Sequence, residues 1–280
     1  ILDPVVRPLV MLGLGGSVGT PADGLQADAL VVSSFDELEQ RAAEAKGRIV
    51  VFNVPYTTYG ETVRYRSDGA SHAARHGAVA MLLRSVGPMG LRTPHTGQMR
   101  YLEDAPRTPA AALAAEDAQQ LARMQARGQR IRLRLRMEAR TLPDAESANV
   151  IGEITGRERP EEVVVVACHF DSWDVGTGAM DDGGGCIAAW EAVRLMKRLD
   201  LRPRRTVRVV LYTNEENGLR GGLAYRDRHR EALARHVLMI ESDAGVFRPL
   251  GFGFSGSAPA RAIVTRLATL LEGIDAVRSG

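Results

Sequence analysis

Val163-Val-Val-Val-Ala-Cys168 is an apolar, mostly β-branched run, and His169-Phe-Asp-Ser-Trp-Asp-Val-Gly-Thr-Gly-Ala-Met-Asp-Asp-Gly-Gly-Gly185 follows it without a break. The run predicts a strand covered on both faces, because a half-exposed strand would alternate polar and apolar residues. The seventeen residues after it hold one histidine, four aspartates and five glycines. Carboxylates crowded at the end of a buried strand repel one another and raise one another's pKa values. A fold that gathers them therefore needs positive charge in their midst.

The same pattern recurs twice. Thr206-Val-Arg-Val-Val-Leu-Tyr212 reads as a strand and runs into Asn214-Glu215-Glu216; His236-Val-Leu-Met-Ile240 runs into Glu241-Ser-Asp243. Helical spacing follows at 186–199 and at 258–271, where Ile263, Val264, Leu267 and Leu271 share one side. From Ala148 the order is thus strand, loop, helix, repeated, which predicts an α/β fold: a mainly parallel mixed sheet sandwiched by helices. Ligands in such sheets bind outside the carboxyl ends of the strands, so acids distant in the chain can converge there. His169, Asp181, Glu216 and Asp243 make a mixed imidazole and carboxylate ligand set, which suits zinc. Two zinc ions would answer the charge problem. Asp181, Glu216 and Asp243 offset three of their four positive charges, and Glu215 the fourth. Gly183, Gly184 and Gly185 clear side chains from the place where backbone must approach, and can open the next helix.

The chain before about residue 141 has a different texture. Residues 47–55 read as a short strand ended by proline, 68–84 as a helix with Ala70, Ala74, Ala78 and Met81 on one face, and 108–114 as a strand. Glu116 to Arg127 reads as a helix closed by Gly128. In Arg130-Ile-Arg-Leu-Arg-Leu-Arg-Met137 the arginines alternate with apolar residues, as in a half-buried strand whose charged face is solvated and whose edge is protected by charge. A net charge of +2 with mixed signs points to neither nucleic acid nor an acidic membrane, and no apolar run approaches the roughly 18 residues that span a bilayer. The chain begins at Ile1 and shows no leader. Two cysteines make no disulfide framework; Cys168 reads as a small buried residue facing away from His169, with a Cys168–Cys186 bridge as the lesser alternative. His72, His76, His95, His229 and His236 read as structural or surface residues, and Trp173 as either pocket wall or core.

His169-Phe-Asp171, Gly178-Ala-Met-Asp-Asp-Gly-Gly-Gly185, Asn214-Glu-Glu-Asn-Gly-Leu-Arg-Gly221 and Glu241-Ser-Asp243 together resemble the co-catalytic zinc aminopeptidases and carboxypeptidases of the M28 type. Met11 to Pro21 and Ser85 to Gly97 are similar to its branch of carboxypeptidases that act on small peptides. The resemblance implies that His169 and Asp243 hold one zinc, Glu216 the other, and that Asp181 bridges two zincs per complete subunit. It implies Glu215 as general base and Asp171 as the residue that orients His169. Asp174 reads as a loop cap, Asp182 as support for the bridge, and a cis bond is implied between Asp181 and Asp182. The implied domains are 1–19 as the start of the peptidase domain, 20–141 as an inserted protease-associated domain, and 142–280 as the zinc peptidase domain. The family's second zinc needs a further histidine, none follows Asp243, and so the sequence is expected to be C-terminally incomplete. The expected function is hydrolysis of small peptides by an exported, homodimeric exopeptidase acting as a dipeptidase or carboxypeptidase. An aminopeptidase and a non-catalytic binding relative are the alternatives.

Overall fold

The computed structural model describes residues 1–173 and 175–279, which divide into two compact units. The first holds Ile1–Glu146 with Glu216–Gly218; the second holds Ser147–Glu215 and the chain from Leu219 onwards.

The first unit is a six-stranded sheet with helices on both faces. Its elements are β1 (Met11–Gly13), β2 (Leu25–Val32), α1 (Phe35–Gln40), α2 (Ala42–Ala45), β3 (Ile49–Phe52), α3 (Tyr59–Arg75), β4 (Ala80–Arg84), β5 (Ala110–Leu113), α4 (Ala115–Ala126) and β6 (Arg132–Leu135). The strand order is β1-β5-β4-β3-β2-β6, parallel from β2 to β5 and antiparallel at both edges. The alanines of β5 are fully buried: in a strand covered on both sides, small residues let the layers close. On β6 and the two residues before it, Ile131, Leu133 and Leu135 are buried, while Arg130 and Arg132 pair with Asp28 on the neighbouring strand, so the arginine row protects an edge as the alternation predicts.

One expectation is corrected by this unit. The helix predicted over 68–84 is two elements. α3 starts at Tyr59, capped by the Thr58 hydroxyl accepting from the Glu61 N–H, and the chain turns at Gly77 with φ of 75° before β4 begins. Ala-Met-Leu-Leu of β4 is apolar all round, and such a short run carries no period that separates strand from helix. Residues 1–19, which the resemblance implies as the start of the peptidase domain, fall within the first compact unit. Met11–Gly13 pairs with Ala111–Leu113, an edge pairing that a three-residue strand cannot announce by pattern.

The second unit contains β7 (Val150–Ile154), β8 (Arg159–His169), α5 (Gly184–Arg198), β9 (Arg205–Tyr212), α6 (Arg220–Arg228), β10 (His236–Glu241), β11 (Gly251–Phe252), α7 (Ala258–Ala268) and β12 (Arg278–Ser279). Its main sheet runs β10-β8-β9-β7. β8 lies parallel to both neighbours and β7 is antiparallel, giving the mainly parallel mixed sheet that the sequence predicts. The register sets His169 beside Tyr212 and Glu241 beside Ala167, so three strands end at nearly one level. Tyr225 of α6 packs on Val163, Val165 and Val210 of this sheet. Its hydroxyl also meets Nε2 of His236, and His229 lies against its ring, so both histidines are structural. In the first unit His72 stacks on Phe35 and His76 meets Glu39.

Candidate metal centre

His169 ends the central strand, with its side chain only 1% exposed. Its Nδ1 lies 3.0 Å from the backbone carbonyl of Asp171. A carbonyl can only accept, so Nδ1 carries a proton and Nε2 is the ring atom turned towards the acids. The carboxylate of Asp171, 3.8 Å from Nδ1, bonds elsewhere, its Oδ1 accepting the backbone N–H of Glu215 at 2.9 Å. Asp171 thus orients the imidazole through its main chain and the Glu215 loop through its side chain.

Around Nε2 the acids converge. Asp181 Oδ1 lies 3.1 Å away, Asp243 Oδ1 3.2 Å and Glu215 Oε2 4.0 Å. One donor atom each from His169, Asp181 and Asp243 falls within 4.8 Å of the other two. Glu216 is not in that group, and residues Glu216–Gly218 are counted in the first unit. Asp174 lies outside the described residues.

The loop between β8 and α5 is held at its base. Asp182 is buried, its Oδ2 accepting the His169 N–H at 3.2 Å and its Oδ1 the Gly185 N–H at 3.1 Å, so one carboxylate ties the end of β8 to the start of α5. The Asp181–Asp182 bond is cis, as the resemblance implies. A Cβ on Gly185 would stand 1.9 Å from the Ser242 carbonyl oxygen and 2.2 Å from Asp182 Oδ1, so no other residue fits. Cys168 and Cys186 add a disulfide across the same base. This corrects the reading of Cys168 as a plain buried residue. Its side chain does point away from the metal-ligating face, but there it meets the first turn of α5, a placement that neither strand alternation nor cysteine count reveals. Asn149 was also missed. Its side chain bonds the Thr213 N–H and the Gly221 carbonyl, closing the loop that presents Glu215. A single asparagine ahead of a strand carries no signal for that.

The electrostatics match a cation site. Burial pushes the His169 imidazolium pKa down, but the Asp243 charge, the bond to the Asp171 carbonyl and the Glu215 charge outweigh it and raise it to about 9. Burial raises Glu215, helped by the Asp243, Asp171 and Glu241 carboxylates and opposed by His169. Asp243 and Glu241 are likewise raised, burial first. Asp182 is raised to about 6 by burial, against the pull of its two N–H bonds. Mutual repulsion, the cause expected from the sequence, is real but second to desolvation. A buried imidazole whose Nε2 faces the carboxylates of Asp181 and Asp243, with Asp243 and Glu215 held above their usual range, fits a divalent cation well.

The family described as Peptidase family M28 matches residues 149–274. That stretch holds His169, Asp181, Glu215 and Asp243. Over nearly its whole length it is also similar to carboxypeptidase Q, with 51% identity to the protein of Xenopus laevis over 98% of this chain and 49% to the human protein over 97%. The chain spans 59% and 58% of those two relatives' lengths. Among solved structures, a peptidase M28 precursor from Shewanella amazonensis matches with a TM-score of 0.92 and 35% identity, covering all of this chain and 64% of that one. A zinc aminopeptidase from Bacillus subtilis shares the fold at a TM-score of 0.69 and 21% identity, covering 98% of this chain and 64% of that one. No described helix is long and apolar enough to cross a membrane.

Proposed function

We propose that this chain carries the ligand-bearing core of a zinc exopeptidase that hydrolyses small peptides, in the manner of a dipeptidase or carboxypeptidase. The observation that carries the reading is the approach of Asp181 and Asp243 to within 3.1 and 3.2 Å of His169 Nε2 at the carboxyl ends of parallel strands. His169, Asp181 and Asp243 would hold zinc; a second zinc, held through Asp181 and Glu216, follows the M28 resemblance. Zinc, when bound, lowers the pKa of a water and polarises a carbonyl.

The chain's own residues do the rest. Glu215 Oε2 stands 4.0 Å from Nε2, close enough to take a proton from the attacking water. Its raised pKa suits a group that must then hand the proton to the leaving amine. Asp171 fixes the Glu215 N–H through its carboxylate and the imidazole tautomer through its backbone carbonyl. We read the first unit as a protease-associated domain. The Cys168–Cys186 disulfide supports export, because such bonds persist in oxidising compartments. The homodimer follows the resemblance alone.

Glu215→Gln in the full-length protein tests the assignment. It is expected to leave zinc content unchanged and to lower kcat on a dipeptide by about 10²- to 10⁴-fold. Normal turnover with zinc retained would remove Glu215 from the mechanism.

A further inference from the structure

Arg66 sits in the middle of α3, only 8% exposed. A buried guanidinium normally meets a carboxylate, since leaving its charge unpaired away from water is costly. Arg66 meets none among the described residues. Its Nη1 donates to the Thr96 carbonyl at 3.3 Å, its Nη2 to the Tyr59 hydroxyl at 2.6 Å, and its Nε is buried with no partner. These partners are all neutral. The group is also built in tightly: a Cβ on Gly97 would fall 2.3 Å from Arg66 Cζ, so that position has to be glycine for the guanidinium to lie there.

We propose that Arg66 is the receptor of a carboxylate-binding site in the first unit, and that its ligand is the free carboxylate of a peptide or amino acid. The charge count selects the ligand. One unpaired positive charge with neutral partners takes one negative charge, whereas a phosphate dianion would be left half compensated. The donors fit as well. The buried Nε–H is unpaired, and because the Tyr59 oxygen already accepts from Nη2, its own O–H is left to donate, giving two donors for the two oxygens of one carboxylate. Tyr59 is half-exposed at the first position of α3 with its ring 5.5 Å from Cζ, so it lies between the buried guanidinium and solvent and is the side chain whose movement would admit the ligand. The rival account makes Arg66 a staple that merely ties the 96–97 loop to α3.

The test uses the full chain stripped of zinc, so that it does not depend on the proposed hydrolysis. Dialanine and dialanine amide are titrated by calorimetry. The acid should bind at least about tenfold more tightly than the amide, the worth of one charge-assisted hydrogen bond. Arg66→Gln should bring the ratio to about one. Tyr59→Phe, which keeps the ring and loses only the hydroxyl, should reduce it and serves if the first variant does not fold. Equal binding of acid and amide, or a preference that survives Arg66→Gln, overturns the proposal. So does the absence of peptide binding together with a lower melting temperature for Arg66→Gln, which would make Arg66 a structural staple.

Discussion

Replacing both Cys168 and Cys186 by alanine should destabilise the second unit by about 3 kcal/mol. The two cysteines are 18 positions apart. Cross-linking a loop of that length removes about 11 cal/mol/K from the unfolded chain, or roughly 3 kcal/mol at 25 °C, and a further fraction of a kcal/mol goes with the buried sulfurs. Urea denaturation followed by tryptophan fluorescence is the assay. Both tryptophans, Trp173 and Trp190, lie in the second unit, so the signal reports that unit and no other. The same loss should follow from reducing the wild-type protein with a dithiol, which leaves the sulfurs in place and so separates the cross-link from the packing. The loop closed by the bond carries His169, Asp171, Asp181 and Asp182, and zinc should therefore bind the double variant more weakly. A change below about 1 kcal/mol in both experiments would refute the entropic argument and make the bond incidental to this unit.

Gly185→Ala should cost at least about 2 kcal/mol, because a methyl group 1.9 Å from the Ser242 carbonyl forces backbone apart and breaks the bond from Gly185 to Asp182; an unchanged urea midpoint would contradict the packing described. The zinc-free protein should also lose stability in alkali. The His169 pKa is raised from 6.5 to about 9, so its contribution is fully present below pH 6.5 and disappears as pH rises through 9. The loss amounts to roughly 3 kcal/mol for this fully buried side chain, to be measured as the fall in unfolding free energy between pH 6.5 and 9.5. Added zinc should reverse the trend by displacing that proton, and a flat profile without zinc would mean that His169 is not protonated in the fold.

How far the sequence can be read depends on the range of the signal. β8 is plain, because Val163 to Ala167 is an unbroken apolar run and a parallel central strand must be apolar throughout. β6 is plain because its two faces differ. The helix over 68–84 fails at Gly77, where one left-handed residue between alanine-rich stretches looks like a continuation. The convergence of His169, Asp181 and Asp243 is legible from acids recurring after strands. Long-range side-chain partnerships, such as Asn149 with Gly221 and Cys168 with Cys186, leave no local periodicity at all.

The order in which the ribosome delivers these parts has its own consequence. The carboxylate that clamps the His169 backbone arrives 13 residues after it, but Asp243 arrives only 74 residues after it. A nascent chain can therefore shape the loop early and still present an incomplete donor set until β10 has docked beside β8. On the proposed ligand assignment, cation capture would be a late event in biogenesis, and a chain stalled before residue 243 would offer a shaped cradle with one proposed ligand missing.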